Sequence, residues 1–375
     1  MKILISTPVF KPMVGGMETL ANNFAVHFTE RGHEVTLVTP IPYAGTDDED
    51  YRIVRQPSFR EFYRLAKQTD LIFSNGASLY AAPYAMLTGK PMVMRHTGYQ
   101  VACIDGAGWY DGKIAPLRPF PSFLFHLKNG KLPATLRGIV KVAALRTFAK
   151  RFVAANIAIS DWMKRRHPLP NQVRIHNPFP ISKFVGGRNE SGVYDYDFFF
   201  LGRLVTEKGV NLLIDAFTTV QERSDNRYRL CIIGDGPERP RLEKMVHSAV
   251  QNAFVTFTGM LTKQALVDQM KACKIAVLPS TWEEPFGGAA SEILAAGKNV
   301  IVSRDGALSE IVADAGLTFP NNDSAALADA MQRLVEDEDL QKTHRKNAEV
   351  RLRAFSEDDL IDQYISLFDR LLAKN

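Results

Sequence analysis

Cysteine is scarce in this sequence. Only Cys103, Cys231 and Cys273 occur, widely spaced and without a CxxC pair. That argues against a disulfide framework or a structural zinc site, and it fits a reducing compartment. Long hydrophobic runs are also missing: none approaches the roughly 20 residues a membrane-spanning helix needs. The opening MKILIST runs directly into a strand with no signal-peptide pattern, so a cytoplasmic protein is expected. Low-complexity tracts and short-period repeats are absent.

Acidic residues are missing from one region in particular. Residues 1–177 hold 23 Lys/Arg and 12 Asp/Glu, whereas 178–375 hold 23 and 29, so a net charge of +5 conceals a basic half and an acidic half. Over 86–176, 15 cations face only Asp105, Asp111 and Asp161, with no glutamate. A basic face of this kind attracts nucleic acid, anionic lipid or a phosphorylated acceptor, and charge alone does not choose among them.

What is present is a chain of 375 residues, which at roughly 100–200 residues per domain predicts about two domains. Apolar runs at Ile3–Thr7, Glu34–Thr39, Leu71–Ser74, Met92–Met94 and Ile157–Ser160 alternate with helical stretches. The pattern restarts after Pro180 with Phe198–Leu201, Leu230–Ile233, Val255–Thr258, Ala276–Leu278 and Val300–Val302. Such alternation predicts βαβ units and parallel sheets. The expected division is a domain over 1–178, a linker over 179–192, a domain over 193–355 and an amphipathic helix over 356–375.

Three segments of the second half could carry chemistry. In PSTWEEPFGGAASEILAAG, residues 279–297, Pro285 reads as the first turn of a helix. A helix start leaves backbone N–H groups to receive an anion, and Gly287 and Gly288 remove side chains that would keep a ligand away. Glu292 follows one turn later, the only charge between Phe286 and Ala296. It either faces solvent or is buried against a partner such as sugar hydroxyls. Glu284 makes a carboxylate pair with it. In LGRLVTEKG, Arg203 and Lys208 follow a strand, where an open α/β sheet binds its ligand; they hold a diphosphate or are two solvated loop cations. IIGDGP places Gly234 in a turn resembling a dinucleotide fingerprint, but Arg239 occupies the third glycine position.

The first half offers the Gly15-Gly16 turn and His96, which ends the strand PMVMRH. The histidine suits a sugar hydroxyl or a proton transfer, or a purely structural bond. Asp47-Asp48-Glu49-Asp50 and Asp195-Tyr196-Asp197 contain the DxD spacing found in some metal sites, but both read as surface acid.

In this order the segments resemble the retaining glycosyltransferases of family 4, which have the GT-B fold. The resemblance also takes in an SxxM-like segment at Ser160–Met163 and Asn177-Pro178 before the linker, so it covers nearly the whole chain. It implies two Rossmann-like parallel-sheet domains facing across a cleft, with the final helix crossing back to the first. It implies a nucleotide-diphosphate sugar, UDP- or GDP-linked, as donor, and neither a metal nor a cofactor. Arg203 and Lys208 would hold the diphosphate, Glu292 the ribose, and Glu284 with the amides around Phe286, Gly287 and Gly288 the transferred sugar. Gly15 and Gly16 would admit the donor, His96 would contact its sugar, and the base would lie near Gly234, Met260 and Leu261.

The implied product is a bacterial surface polysaccharide such as lipopolysaccharide, made by a hexosyltransferase on a glycan or lipid-linked acceptor. The acceptor is expected at 97–152, where aromatics such as Trp109, Phe120 and Phe125 mix with Lys113, Lys128 and Arg137. Thr135–Phe152 reads as an amphipathic stretch, with Leu136, Ile139, Val140 and Phe148 beside the cations. That mixture gives a second expected partner, the anionic inner face of a membrane. A sugar-nucleotide epimerase of the same fold is the nearest alternative. An NAD-dependent oxidoreductase lacks its fingerprint, and no nucleic-acid module is recognisable.

Overall fold

The computed structural model describes residues 1–13, 15–189, 191–225, 228–249 and 254–373. They divide into one unit of Met1–Phe179 with Glu357–Asn375, and a second of Pro180–Ser356. In the first unit the leading strands are β1 (Lys2–Ser6), β2 (Glu34–Thr39), β3 (Arg52–Arg55), β4 (Leu71–Asn75) and β5 (Met92–His96). A small antiparallel hairpin follows, β6 (Trp109–Tyr110) and β7 (Lys113–Ile114); β8 (Ala155–Ala158) and β9 (Gln172–Arg174) complete the main sheet. Its seven strands run in the order β3-β2-β1-β4-β5-β8-β9, every pair parallel. Helices cover such a sheet on both faces, which is why β4 and β5 are buried at every position.

The helices of this unit are α1 (Gly16–Glu30), α2 (Phe59–Gln68), α3 (Ala82–Thr88), α4 (Pro119–Asn129), α5 (Leu132–Arg151) and α6 (Asp161–Arg166). Ser58 and Ser160 cap α2 and α6 by accepting from the N–H three residues on.

The second unit has β10 (Tyr196–Leu201), β11 (Leu230–Ile233), β12 (Val255–Gly259), β13 (Cys273–Leu278), β14 (Asn299–Ser303) and β15 (Leu317–Phe319). They form a six-stranded sheet, β12-β11-β10-β13-β14-β15, again wholly parallel. Its helices are α7 (Val210–Arg223), α8 (Arg239–Ala249), α9 (Lys263–Lys271), α10 (Gly288–Ala295), α11 (Ala307–Val312), α12 (Ser324–Glu336) and α13 (Glu338–Leu352). In both sheets the order runs outward from the first strand and then reverses, between β1 and β4 and between β10 and β13. Ligands of open α/β sheets bind at the carboxyl ends of the strands beside such a reversal.

Within the expected linker, Ile181–Gly187 form a 3-10 helix in which Gly187 is buried. A Cβ on Gly187 would lie 2.9 Å from that of Ala296, so this segment packs on the second unit. The last helix, α14 (Glu357–Leu372), joins the first unit. Tyr364 and Phe368 sit edge-on against Phe24 and Phe28 of α1, at 4.7 and 5.6 Å between ring centres. Arg31 clasps Asp358 and Asp362 of α14 at 2.8 and 2.7 Å. Among the described residues no helix is long and apolar enough to cross a membrane.

Candidate active site

β10 and β13 are neighbours, so the loops leaving their carboxyl ends meet. Thr281, after β13, donates its backbone N–H to the carbonyl of Glu207 at 2.9 Å. Gly209 has φ +66°, and a Cβ there would fall on the carbonyl oxygen of Pro279. Only glycine lets the two loops close to this distance. The closure brings Lys208 and Glu284 together: Lys208 Nζ donates to Glu284 Oε1 at 2.7 Å. The Ser280 hydroxyl donates to the same oxygen. Glu284 is nearly buried, with 9% of its side chain exposed, and Lys208 is at 24%. Arg203 behaves differently. Its side chain is 71% exposed and reaches Glu207 only at 3.8 Å, a loose, solvent-screened pair.

The helix start expected at Pro285 lies further on. Gly287 is the N-cap and Gly288 the first residue of α10. Pro285 stands in the turn ahead, because Gly287 adopts φ +147° to redirect the chain. A Cβ on Gly287 would meet Leu308 Cδ2 at 2.6 Å, so glycine here also lets α10 approach α11. The ring of Phe286 is buried, with Phe355 6.5 Å away, and contributes to packing. The backbone carbonyl of Glu284 accepts from Ala307 N at 2.8 Å, which anchors the carboxylate's own main chain. Glu292, one turn into α10, is half-buried rather than solvated. Burial pushes its carboxyl up to about 7.

Gly234 and Met260 come close at the ends of β11 and β12, where Gly234 N donates to Gly259 O at 2.9 Å. Met260 is exposed and Leu261 half-buried. The glycines of IIGDGP have a local cause: Cβ atoms on Gly234 and Gly236 would fall on the carbonyls of Gly202 and Leu204. They permit backbone-on-backbone packing of two loops, without any dinucleotide. Arg239 is held by Asp235 and Glu243 at 3.2 and 2.8 Å.

In the first unit, Gly15 is the N-cap of α1 and the carboxylate of Glu18 folds back over it, 2.6 Å from where a Cβ would stand. At Gly16 a Cβ would meet only Phe179 Cζ, at 4.0 Å, so packing does not demand glycine there. Of the alternatives for His96, the structure gives the hydrogen-bonded, structural one. The ring is fully buried, Nε2 bonded to Asn156 Oδ1 at 2.9 Å, with His167 at 5.5 Å between ring centres. Burial holds His96 at about 4 and His167 at about 3, so both rings are neutral at pH 7. The cause is positional: β5 is interior to the sheet, and Asn156 of β8 and His167, the C-cap of α6, cover its last ring.

Sequence reasoning did not single out Arg95, a charge in the apolar strand MVMRH. It is wholly buried and donates to Asn75 Oδ1 and Asn177 Oδ1, while Asn75 donates to Met17 O at 3.1 Å. The network ties the ends of β4 and β5 to the first turn of α1. Ser280 and Thr281 were missed as well; their only signal was two hydroxyls between a strand and a carboxylate pair. The acidic clusters are engaged elsewhere. Asp47 takes Arg55 at 2.8 Å, Glu49 takes Lys11, and Asp197 accepts from Arg229 N at 2.9 Å.

Two wholly parallel α/β units, each with its reversal point, make this the GT-B architecture of glycosyltransferase structures. Anabaena HepE in complex with UDP has the same fold, with a TM-score of 0.75 over 99% of this chain and 100% of that one, at 20% identity. Residues 188–351, nearly all of the second unit, match the family described as glycosyl transferases group 1. The chain is 28% identical over 151 residues to alpha-D-kanosaminyltransferase of Streptomyces kanamyceticus, covering 40% of this chain and 39% of that protein. It is 28% identical over 248 residues to O-antigen chain mannosyltransferase C of Escherichia coli, covering 64% of each. Both matches span less than two thirds of the relative's own length.

Proposed function

We propose that this protein is a retaining glycosyltransferase that moves a sugar from a UDP- or GDP-linked donor to a glycan or lipid-linked acceptor in surface polysaccharide synthesis. The observation that carries the reading is the Lys208–Glu284 pair, set where β10 and β13 end beside the reversal of the sheet. A cation held in place by a nearly buried carboxylate is preorganised to meet a diphosphate, and the carboxylate's second oxygen is left for a sugar hydroxyl. Arg203 adds an exposed guanidinium that can fork two phosphate oxygens. Glu292 is desolvated where hydroxyls of a ribose would supply the missing hydrogen bonds.

In the proposed reaction the bond from the anomeric carbon to the diphosphate oxygen breaks as the acceptor oxygen bonds to the same face. The leaving oxygen takes the acceptor's proton. Negative charge grows on the diphosphate, and Lys208, Arg203 and the backbone at the start of α10 stabilise it. No metal enters this scheme. The group 1 match over 188–351 and the activities of the similar proteins support the transferase class.

A thermal-shift panel of UDP, GDP, ADP and their sugars tests the donor class, because a ligand that binds only the folded state raises its stability. No shift with any nucleotide overturns the reading. Incubating UDP- and GDP-sugars with the protein and no acceptor separates the alternative, since an epimerase converts the donor.

A further inference from the structure

The two helices α4 and α5 form a hairpin with two very different sides. Ser122 and His126 of α4 and Val142, Leu145 and Phe148 of α5 are buried. Gly138 of α5 packs so closely on Ile104 that a Cβ would meet Ile104 Cγ2 at 2.5 Å. Phe148, which the sequence pattern placed on an amphipathic surface stripe, is therefore core. The outer side is apolar as well. Phe120, Leu124 and Leu127 recur along α4, and Leu132, Leu136 and Val140 along α5, every one exposed. The extremes, Phe120 and Val140, are both 67% exposed.

Single exposed apolar residues need no explanation, but six on consecutive helices at spacings of three and four residues do. Their neighbours supply the second observation. Lys128 and Lys131 flank the turn between the helices, and Arg137 and Lys141 follow on α5, all exposed. From 112 to 160 the sequence has nine Lys/Arg and no Asp/Glu. A helix pair with an apolar ridge, cations alongside and no acid has the composition of an element lying in the plane of a lipid interface. Lysine is depleted at protein–protein interfaces, so a face lined by Lys128, Lys131 and Lys141 is poorly suited to a soluble protein partner.

We infer that the outer face of the α4–α5 hairpin is a membrane-insertion surface. The six apolar side chains enter the acyl boundary of an anionic bilayer, and Lys128, Lys131, Arg137 and Lys141 engage the lipid phosphates. Insertion is the main contribution, and charge sets the lipid preference. The inference is independent of the sugar-transfer reading, and its test uses no activity.

The full-length protein is sedimented with vesicles of phosphatidylcholine alone and of phosphatidylcholine with phosphatidylglycerol, at low and high salt. The wild type is expected to bind the anionic vesicles more tightly than the neutral ones. Leu124→Ser with Val140→Ser should weaken that partition by roughly tenfold or more even at low salt, since two buried apolar side chains are lost. Lys131→Gln with Arg137→Gln should weaken it several-fold and flatten its salt dependence. All four positions are exposed, so both variants should keep the wild-type melting temperature. Equal recovery with neutral and anionic vesicles, no binding at all, or unchanged binding by the Leu124/Val140 variant overturns the inference. So does sedimentation velocity showing a wild-type dimer that this variant converts to monomer, which would assign the ridge to a second copy.

Discussion

Lys208 Nζ and Glu284 Oε1 lie 2.7 Å apart although 76 residues separate them in sequence. Two features hold them there: the parallel pairing of β10 with β13, and the loop closure that Gly209 permits. Replacing Lys208 by alanine removes the cation and leaves a nearly buried carboxylate with only Ser280. Turnover should fall on the order of 10²–10³-fold, the scale for losing one preorganised charge stabiliser. Arg203→Ala should cost a similar factor in turnover without changing the urea midpoint, because that side chain is 71% exposed. Donor turnover within a few-fold of wild type in both variants would remove the diphosphate assignment.

Gly209→Ala should destabilise the second unit by roughly 2 kcal/mol or more, as a Cβ is forced toward Pro279 O at a left-handed φ. Urea unfolding measures it; a midpoint equal to wild type would show that the loops close by another route.

Glu292 gives a pH-dependent expectation. Burial raises its carboxyl from 4.5 to about 7. The folded state therefore holds this proton more tightly than the unfolded chain, and stability is lost as pH rises from about 4.5 through 7. Glu292→Gln should match wild type at pH 4 and exceed it at pH 8 by on the order of 1–3 kcal/mol. The same variant should lose most of the stabilisation that nucleotide gives. Parallel melting curves at the two pH values, with and without UDP or GDP, check both effects.

His96 and His167 titrate in the opposite sense. Both are held neutral, at about 4 and about 3, by burial. Protons bind them in the unfolded chain from about pH 6.5 downward, so stability falls from pH 6.5 to about 4 for His96 and on to about 3 for His167, and levels below that. Imidazole C–H signals from these two residues should not move between pH 5.5 and 8 in NMR spectra. A midpoint near 6.5 for either would mean that the ring reaches solvent.

Sugar transfer should continue in EDTA, since Arg203, Lys208 and the start of α10 supply the positive field. Complete loss of activity, restored by Mg²⁺ or Mn²⁺, would contradict that and point back to the acidic segments.

The two sheets could be read in the sequence because parallel strands are buried on both faces and appear as short apolar runs such as FFFL and LCII. β3 and β9 were missed: RIVR and QVR at sheet edges are half-polar and too short to stand out. The cations Arg203 and Lys208 were readable from their place after a strand. Their different environments were not, since burial of Lys208 depends on Glu284 from a distant segment. His96 shows the limit of reading a strand end. Whether a carboxyl-terminal residue faces a crevice or the interior depends on what covers it, here Asn156 and His167 from later elements. Phe148 shows the same limit for helices, because an amphipathic period reveals two faces without saying which one is covered.

The return of α14 to the first unit has a consequence for synthesis. The second unit is one continuous stretch, Pro180–Ser356, and can close as soon as it has left the ribosome. The first unit emerges earlier but lacks the side chains of Tyr364, Leu367 and Phe368 that seal its aromatic core. Until they arrive, Phe24 and Phe28 on α1 have no cover from this helix, although the strands they pack on have already been made. The earlier-made half of the protein is therefore the later one to be completed.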